Sequence, residues 1–174
     1  MVYHPFARHR RNKHLTQVAV ADYIGSKIGS FGRLSVIRLE QGMFGVISDD
    51  VLESLSELYD ESKDLLEQEY RGYQREQRQE FRLHHPDWRY LSGYQGKLHP
   101  LIYYRTQTGL TRNGLCKGLC LDYGPISDYE HNNQRTIPQI IKIASEDMRW
   151  DWTYLEREVL EWRSSGRSSG ARIK

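Results

Sequence analysis

Arg8, Arg10, Arg11, Lys13, Lys27, Arg33 and Arg38 fall within the first 43 residues, where only Asp22 and Glu40 oppose them, a local net charge of +5. Cations at that density suit the binding of a polyanion. Residues 44–98 reverse the sign, with seven Lys/Arg against twelve Asp/Glu, and residues 99–174 return to +2. A basic head thus precedes an acidic, solvated stretch. Other groupings that carry chemistry elsewhere do not carry it here. Ser127, Asp128 and His131 have the residue types of a hydrolytic triad, but all three fall on one helix and lack the nucleophile–base–orienter arrangement. Cys116 and Cys120 stand one helical turn apart with no second pair to complete a metal site, so core packing is their expected role. Adjacent His84 and His85 point apart, and His99 is alone. No glycine-rich phosphate loop, paired-carboxylate site or CxxC motif is present. The expectation is no catalytic residue, no metal and no cofactor.

The elements that position the cations are helices. The chain has 174 residues, 38% hydrophobic, with a mean hydropathy of −0.75. That composition argues against one large core, while 12 Tyr and 4 Trp argue against disorder. No apolar run reaches membrane-spanning length, the N-terminus Met1-Val2-Tyr3-His4-Pro5 lacks an apolar stretch of the secretory kind, and two cysteines make no disulfide scaffold. A soluble, cytoplasmic, all-α protein of two small units is expected. Apolar residues at spacings of three and four mark helices over Leu15–Ile24, Arg33–Glu40 and Val51–Tyr59, the last led by Asp49-Asp50. Gly25, Gly29 and Gly32 mark the break after the first. Ser62–Leu83 reads as a long, polar helix, ended by His84-His85-Pro86. An ordered connector follows to residue 99, and helices resume from Leu101 to Arg163. Trp150, Trp152, Tyr154 and Trp162 are expected to fill a small core or an interface with Leu155, Val159 and Leu160. The tail from Ser164, rich in Ser and Gly, is expected to be disordered. The expected division is 1–61, a linking 62–99, 100–163 and the tail 164–174.

One pattern occurs twice. In the second half Leu110-Thr111 is followed by Leu115, Cys116 and Leu119, then by Ile126-Ser127-Asp128-Tyr129-Glu130-His131-Asn132. Two short helices around a break at Asp122–Pro125 each bury one stripe, with Asp122 placed to cap the second and Pro125 tolerated in its first turn. In the first half Leu15-Thr16-Gln17 and Val20-Ala21 are followed by Val36-Ile37-Arg38-Leu39-Glu40-Gln41-Gly42. Both resemble the repressor/Cro (XRE-type) helix-turn-helix family. Nine residues separate Cys116 from Ile126, as in that family, whereas fourteen separate Ala21 from Val36. The longer insertion is similar to the extended turn of POU-specific domains. Arg112 replaces the family's usual Gln, Cys120 its turn Gly, and Asn132 another Gly. Ile137–Ala144 resembles the family's next helix.

The resemblance implies a sequence-specific DNA-binding regulator, of the kind found as phage or plasmid repressors, with double-stranded DNA as partner. The second helix of each pair would lie in the major groove. In the first half that places Arg33, Ser35 and Arg38 at base edges, with Thr16 and Gln17 supporting or clamping phosphates, and Arg8, Arg10, Arg11 and Lys13 adding phosphate contacts or an arm. In the second half the corresponding residues are Tyr123, Gly124, Ser127 and Asp128, with Thr111, Arg112, His131, Asn132 and Asn133 near the backbone. This second set is less basic. It leaves open two arrangements: both halves reading an asymmetric site, or an antitoxin-like or dimerising regulator. In the latter only the first half binds DNA and the second binds a protein partner or another copy. No membrane partner is expected.

Overall fold

The computed structural model describes residues 4–85, 87, 98–131 and 137–165. Among them there are ten helices and no strand, so the protein is all-α. Two compact units divide the chain between Glu76 and Gln77. No helix among the described residues is long and apolar enough to cross a membrane.

The first unit begins with α1 (Pro5–Asn12), a basic helix where the sequence pattern suggests an arm. Its start is set by His4-Pro5. The His4 Nδ1 accepts the Phe6 N–H at 3.3 Å, and Pro5 fills the first helical position, where its missing N–H costs nothing. Phe6 is fully buried and anchors the helix. The next helix, α2 (Gln17–Ile28), starts at Thr16, whose Oγ1 accepts the Ala19 N–H at 3.1 Å. It runs through Gly25 rather than stopping there. A Cβ on Gly25 would sit 3.1 Å from the Phe31 carbonyl oxygen, so glycine here admits a close backbone approach instead of ending the helix. The helix ends at Gly29, with φ +89°. Gly32 precedes α3 (Arg33–Glu40), which buries Val36 and Leu39, and α4 (Asp49–Tyr59) buries Val51, Leu52, Leu55 and Tyr59.

The long helix α5 (Lys63–His84) gives residues 63–76 to the first unit and 77–84 to the second. The expected polar link is therefore partly core. Leu66 and Tyr70 are buried with Phe6, Ile24 and Leu55, and the Tyr70 hydroxyl donates to the Phe44 carbonyl at 2.5 Å. Gln74 donates to the same carbonyl at 2.8 Å.

The second unit repeats this plan in shorter form. Its helices are α6 (Pro100–Gln107), α7 (Arg112–Leu119), α8 (Tyr123–Glu130), α9 (Gln139–Asp147) and α10 (Trp152–Ser164). His99-Pro100 opens α6 as His4-Pro5 opens α1, with His99 Nδ1 accepting the Leu101 N–H at 3.2 Å. Thr111 caps α7 through the Gly114 N–H at 3.0 Å. The turn after α7 is tight, and Cys120 takes the left-handed conformation there with φ 52°. A residue other than glycine pays roughly 1–2 kcal/mol for that backbone, which burial of the Cys120 side chain offsets. Asp122 holds the N-cap position of α8, but its side chain makes no cap bond. Arg78 is buried, donating to the Leu119 carbonyl at 2.7 Å and pairing with Asp147 at 2.5 Å. Trp150, Leu155, Val159 and Trp162 are in the core, whereas Leu160 is 55% exposed and takes no part in it. Trp152 and Tyr154 are half-buried and lie under Lys142 and Arg157 respectively. The cysteines are buried as packing residues, which pushes their thiols up to about 12 at Cys116 and about 11 at Cys120. The helix α10 extends through Ser164; residues 166–174 of the expected tail and most of the connector lie outside the described residues.

Candidate nucleic-acid interface

A buried carboxylate organises each unit. Glu40, at the end of α3, accepts from Arg10 Nε at 2.6 Å and from its second terminal nitrogen at 3.1 Å, while Arg10 also donates to the Leu15 carbonyl at 3.0 Å. Gln17 Nε2 donates to Glu40 Oε2 at 2.8 Å. The Glu40 bond raises the affinity of Arg10 for its proton. In the second unit Glu130, at the end of α8, accepts from Arg105 at 2.8 and 3.2 Å, and Arg105 donates to the Leu110 carbonyl at 3.3 Å. Arg112 stands where the first unit has Gln17, and its Nε donates to Glu130 Oε2 at 2.7 Å. The Glu130 side chain is 0% exposed. Bidentate pairing of this kind fixes both partners, and removal of either one strands a buried charge.

These networks already engage several of the residues expected to contact DNA. Arg10 lies on α1, not on an extended arm, and is paired with Glu40. Gln17 is turned inward to Glu40. Arg112 is held by Glu130 and donates to the Tyr123 hydroxyl at 2.5 Å, with its guanidinium 5.2 Å from the centre of that ring. Arg8 pairs with Glu69, and Lys13 lies 3.8 Å from Asp60. Thr16 and Thr111 act as helix caps. Arg11 is exposed on α1.

Other expected contacts remain outward. On α3, Arg33 and Arg38 are exposed and have no acidic partner among the described residues, and Ser35 is half-buried beside them. Tyr123, Gly124 and Asp128 are exposed on α8, and Ser127 is half-buried. His131 is exposed, with Nδ1 2.7 Å from the Ser127 carbonyl oxygen, which makes that nitrogen the donor. Asn132 and Asn133 lie outside the described residues.

Pattern reasoning missed two features. The partner arginines were legible as a repeat: Arg10 and Arg105 each stand five residues before the Leu of a Leu-Thr pair. Leu34, 70% exposed between Arg33 and Ser35, was hidden among the apolar residues of its helix. Comparison of the chain with family models, curated proteins and solved structures finds no match. The functional reading therefore rests on the residues themselves.

Proposed function

We infer that the protein is a sequence-specific DNA-binding regulator of the repressor/Cro type, in which the first unit reads the major groove with α3. One observation carries this reading: Arg33 and Arg38 stand exposed without acidic partners among the described residues, while most other cations of the first unit are paired. Arginine so placed can donate two hydrogen bonds to guanine O6 and N7. Glu40 supports the arrangement by tying the end of α3 to α1 and to the start of α2.

The test is selection of bound duplexes from a random pool at about 150 mM salt, where phosphate-driven non-specific binding is weak. An enriched motif is expected, and Arg38→Ala should weaken binding to it by ~1–3 kcal/mol. A pool without enrichment would overturn the reading.

A second reading concerns α8, whose neighbouring cation Arg112 is spent on Glu130 and Tyr123. That favours a protein-binding or dimerising role for the second unit. Tyr123→Ala would then leave affinity for the selected duplex unchanged, while light scattering or partner capture would change.

A further inference from the structure

Leu34 is the apolar residue of α3 that the core does not use. It is 70% exposed, whereas Val36 and Leu39 on the same helix are each 1% exposed. Helical spacing sets Leu34 in line with Arg38, one turn further on, with Arg33 and the half-buried Ile37 flanking that line. The outward side of α3 therefore combines two guanidiniums that have no acidic partner among the described residues with a bare isobutyl group.

That combination defines the chemistry of its partner. The cations require an anionic frame, yet phosphate contacts alone would leave Leu34 in water. The DNA major groove supplies both features, because thymine presents a 5-methyl group there beside the O6 and N7 acceptors of guanine. We propose that Leu34 is a specificity-determining residue that packs on the methyl group of a thymine while Arg33 or Arg38 reads a neighbouring guanine. The assignment rests on the DNA-binding reading above. One helical turn rises about 5.4 Å and base pairs stack about 3.4 Å apart, so the thymine and the guanine read by Arg38 lie within about two base-pair steps.

The experiment uses the full chain and its selected duplex, with each thymine replaced in turn by deoxyuridine, a change that removes only the methyl group. At one thymine the wild-type affinity should fall about fourfold, the loss that goes with about one buried methyl. Leu34→Ala should bind the thymine duplex several-fold more weakly and lose nothing further on the uracil duplex. Since Leu34 makes no core contact of consequence, circular dichroism should show the variant folded. A wild type indifferent to every replacement would overturn the proposal, and so would a Leu34→Ala protein as sensitive to the replacement as the wild type. In both cases the selected duplex is still bound, so the DNA-binding reading survives. Absence of any selected duplex would overturn both together. Loss of self-association in Leu34→Ala, with thymine sensitivity intact, would assign the residue to a protein interface and also overturn the proposal.

Discussion

Glu40 and Glu130 occupy the same place in the two units, yet Glu40 faces one arginine and one glutamine where Glu130 faces two arginines. The first arrangement balances a negative charge with a single positive one, and Arg33 and Arg38 on α3 stay exposed. The second draws an extra cation inward and passes its remaining hydrogen bond to Tyr123. The turns differ in the same direction. The first unit's helix before the turn has 12 residues against 8 in the second, so α3 follows a longer α2 and a four-residue stretch from Gly29 to Gly32. A common scaffold thus separates two tasks: the carboxylate holds the helices together, and the residue opposite it decides how much positive charge is left outside.

The comparison breaks most visibly when the carboxylate is removed. Glu130→Ala removes the carboxylate partner of two half-buried guanidiniums and should destabilise the second unit by about 3 kcal/mol. Glu40→Ala removes the partner of only one such guanidinium, Arg10, and should cost less. All four tryptophans lie beyond residue 77 in the sequence, so urea titration followed by tryptophan fluorescence reports the Glu130 variant, and circular dichroism reports the Glu40 variant. Equal losses in the two variants would contradict the difference drawn between the units.

The histidine caps sharpen the comparison through pH. Burial pulls His4 down to about 4, against the opposing field of Glu40, and pulls His99 down to about 3, helped by Arg163 and His131. Each Nδ1 accepts a backbone N–H, so the neutral ring carries its proton on Nε2, which has no hydrogen-bond partner among the described residues. Both rings meet an aromatic edge, Tyr73 for His4 and Trp162 for His99. The unfolded histidine, near 6.5, takes up its proton first, so stability is complete above that pH and is lost as pH falls toward the folded values. At pH 4.5 each histidine should account for on the order of 2–3 kcal/mol of lost stability. Below about pH 4 the loss at His99 should exceed that at His4. His4→Asn and His99→Asn keep a capping oxygen and should flatten their shares of the pH dependence in thermal melts. A pH profile unchanged by either substitution would sink this account.

The smallest effect comes from making the second unit resemble the first. Arg112→Gln keeps a donor to Glu130 but gives up the charge and the bond to Tyr123. A cost of about 1 kcal/mol is expected in the tryptophan-detected unfolding.

Much of the fold was legible because apolar spacing is a direct record of what is buried. Ala21, and likewise Leu115, Cys116, Ile126 and Tyr129, lie in the core as their spacing predicts, whereas Val18, placed on the same apolar stripe as Ala21, is 48% exposed and Val20 and Ile24 are buried instead. The helix α1 was not legible, since Pro5–Asn12 offers only Phe6 and Ala7 as an apolar stripe and depends on a histidine cap. The site was read less well, for one physical reason. A polar residue's type says that it needs a partner but not whether that partner is solvent, ligand or a buried carboxylate. Arg10, Gln17 and Arg112 all found carboxylates inside the protein, whereas Arg33 and Arg38 have none among the described residues. Leu34 escaped notice because an exposed leucine and a buried one look alike in sequence.

Cys116 and Cys120 give the second unit a property the first lacks. Both thiols are buried and both are held well above their ordinary protonation range, so neither reacts while the unit is closed. An alkylating reagent then reaches them only when the packing around α7 opens. Under rapid reclosing the labelling rate equals the reagent's intrinsic rate multiplied by the fraction of time spent open. The pair is a built-in clock for the breathing of one half of the chain, and binding of DNA or a partner there would register as a slower tick.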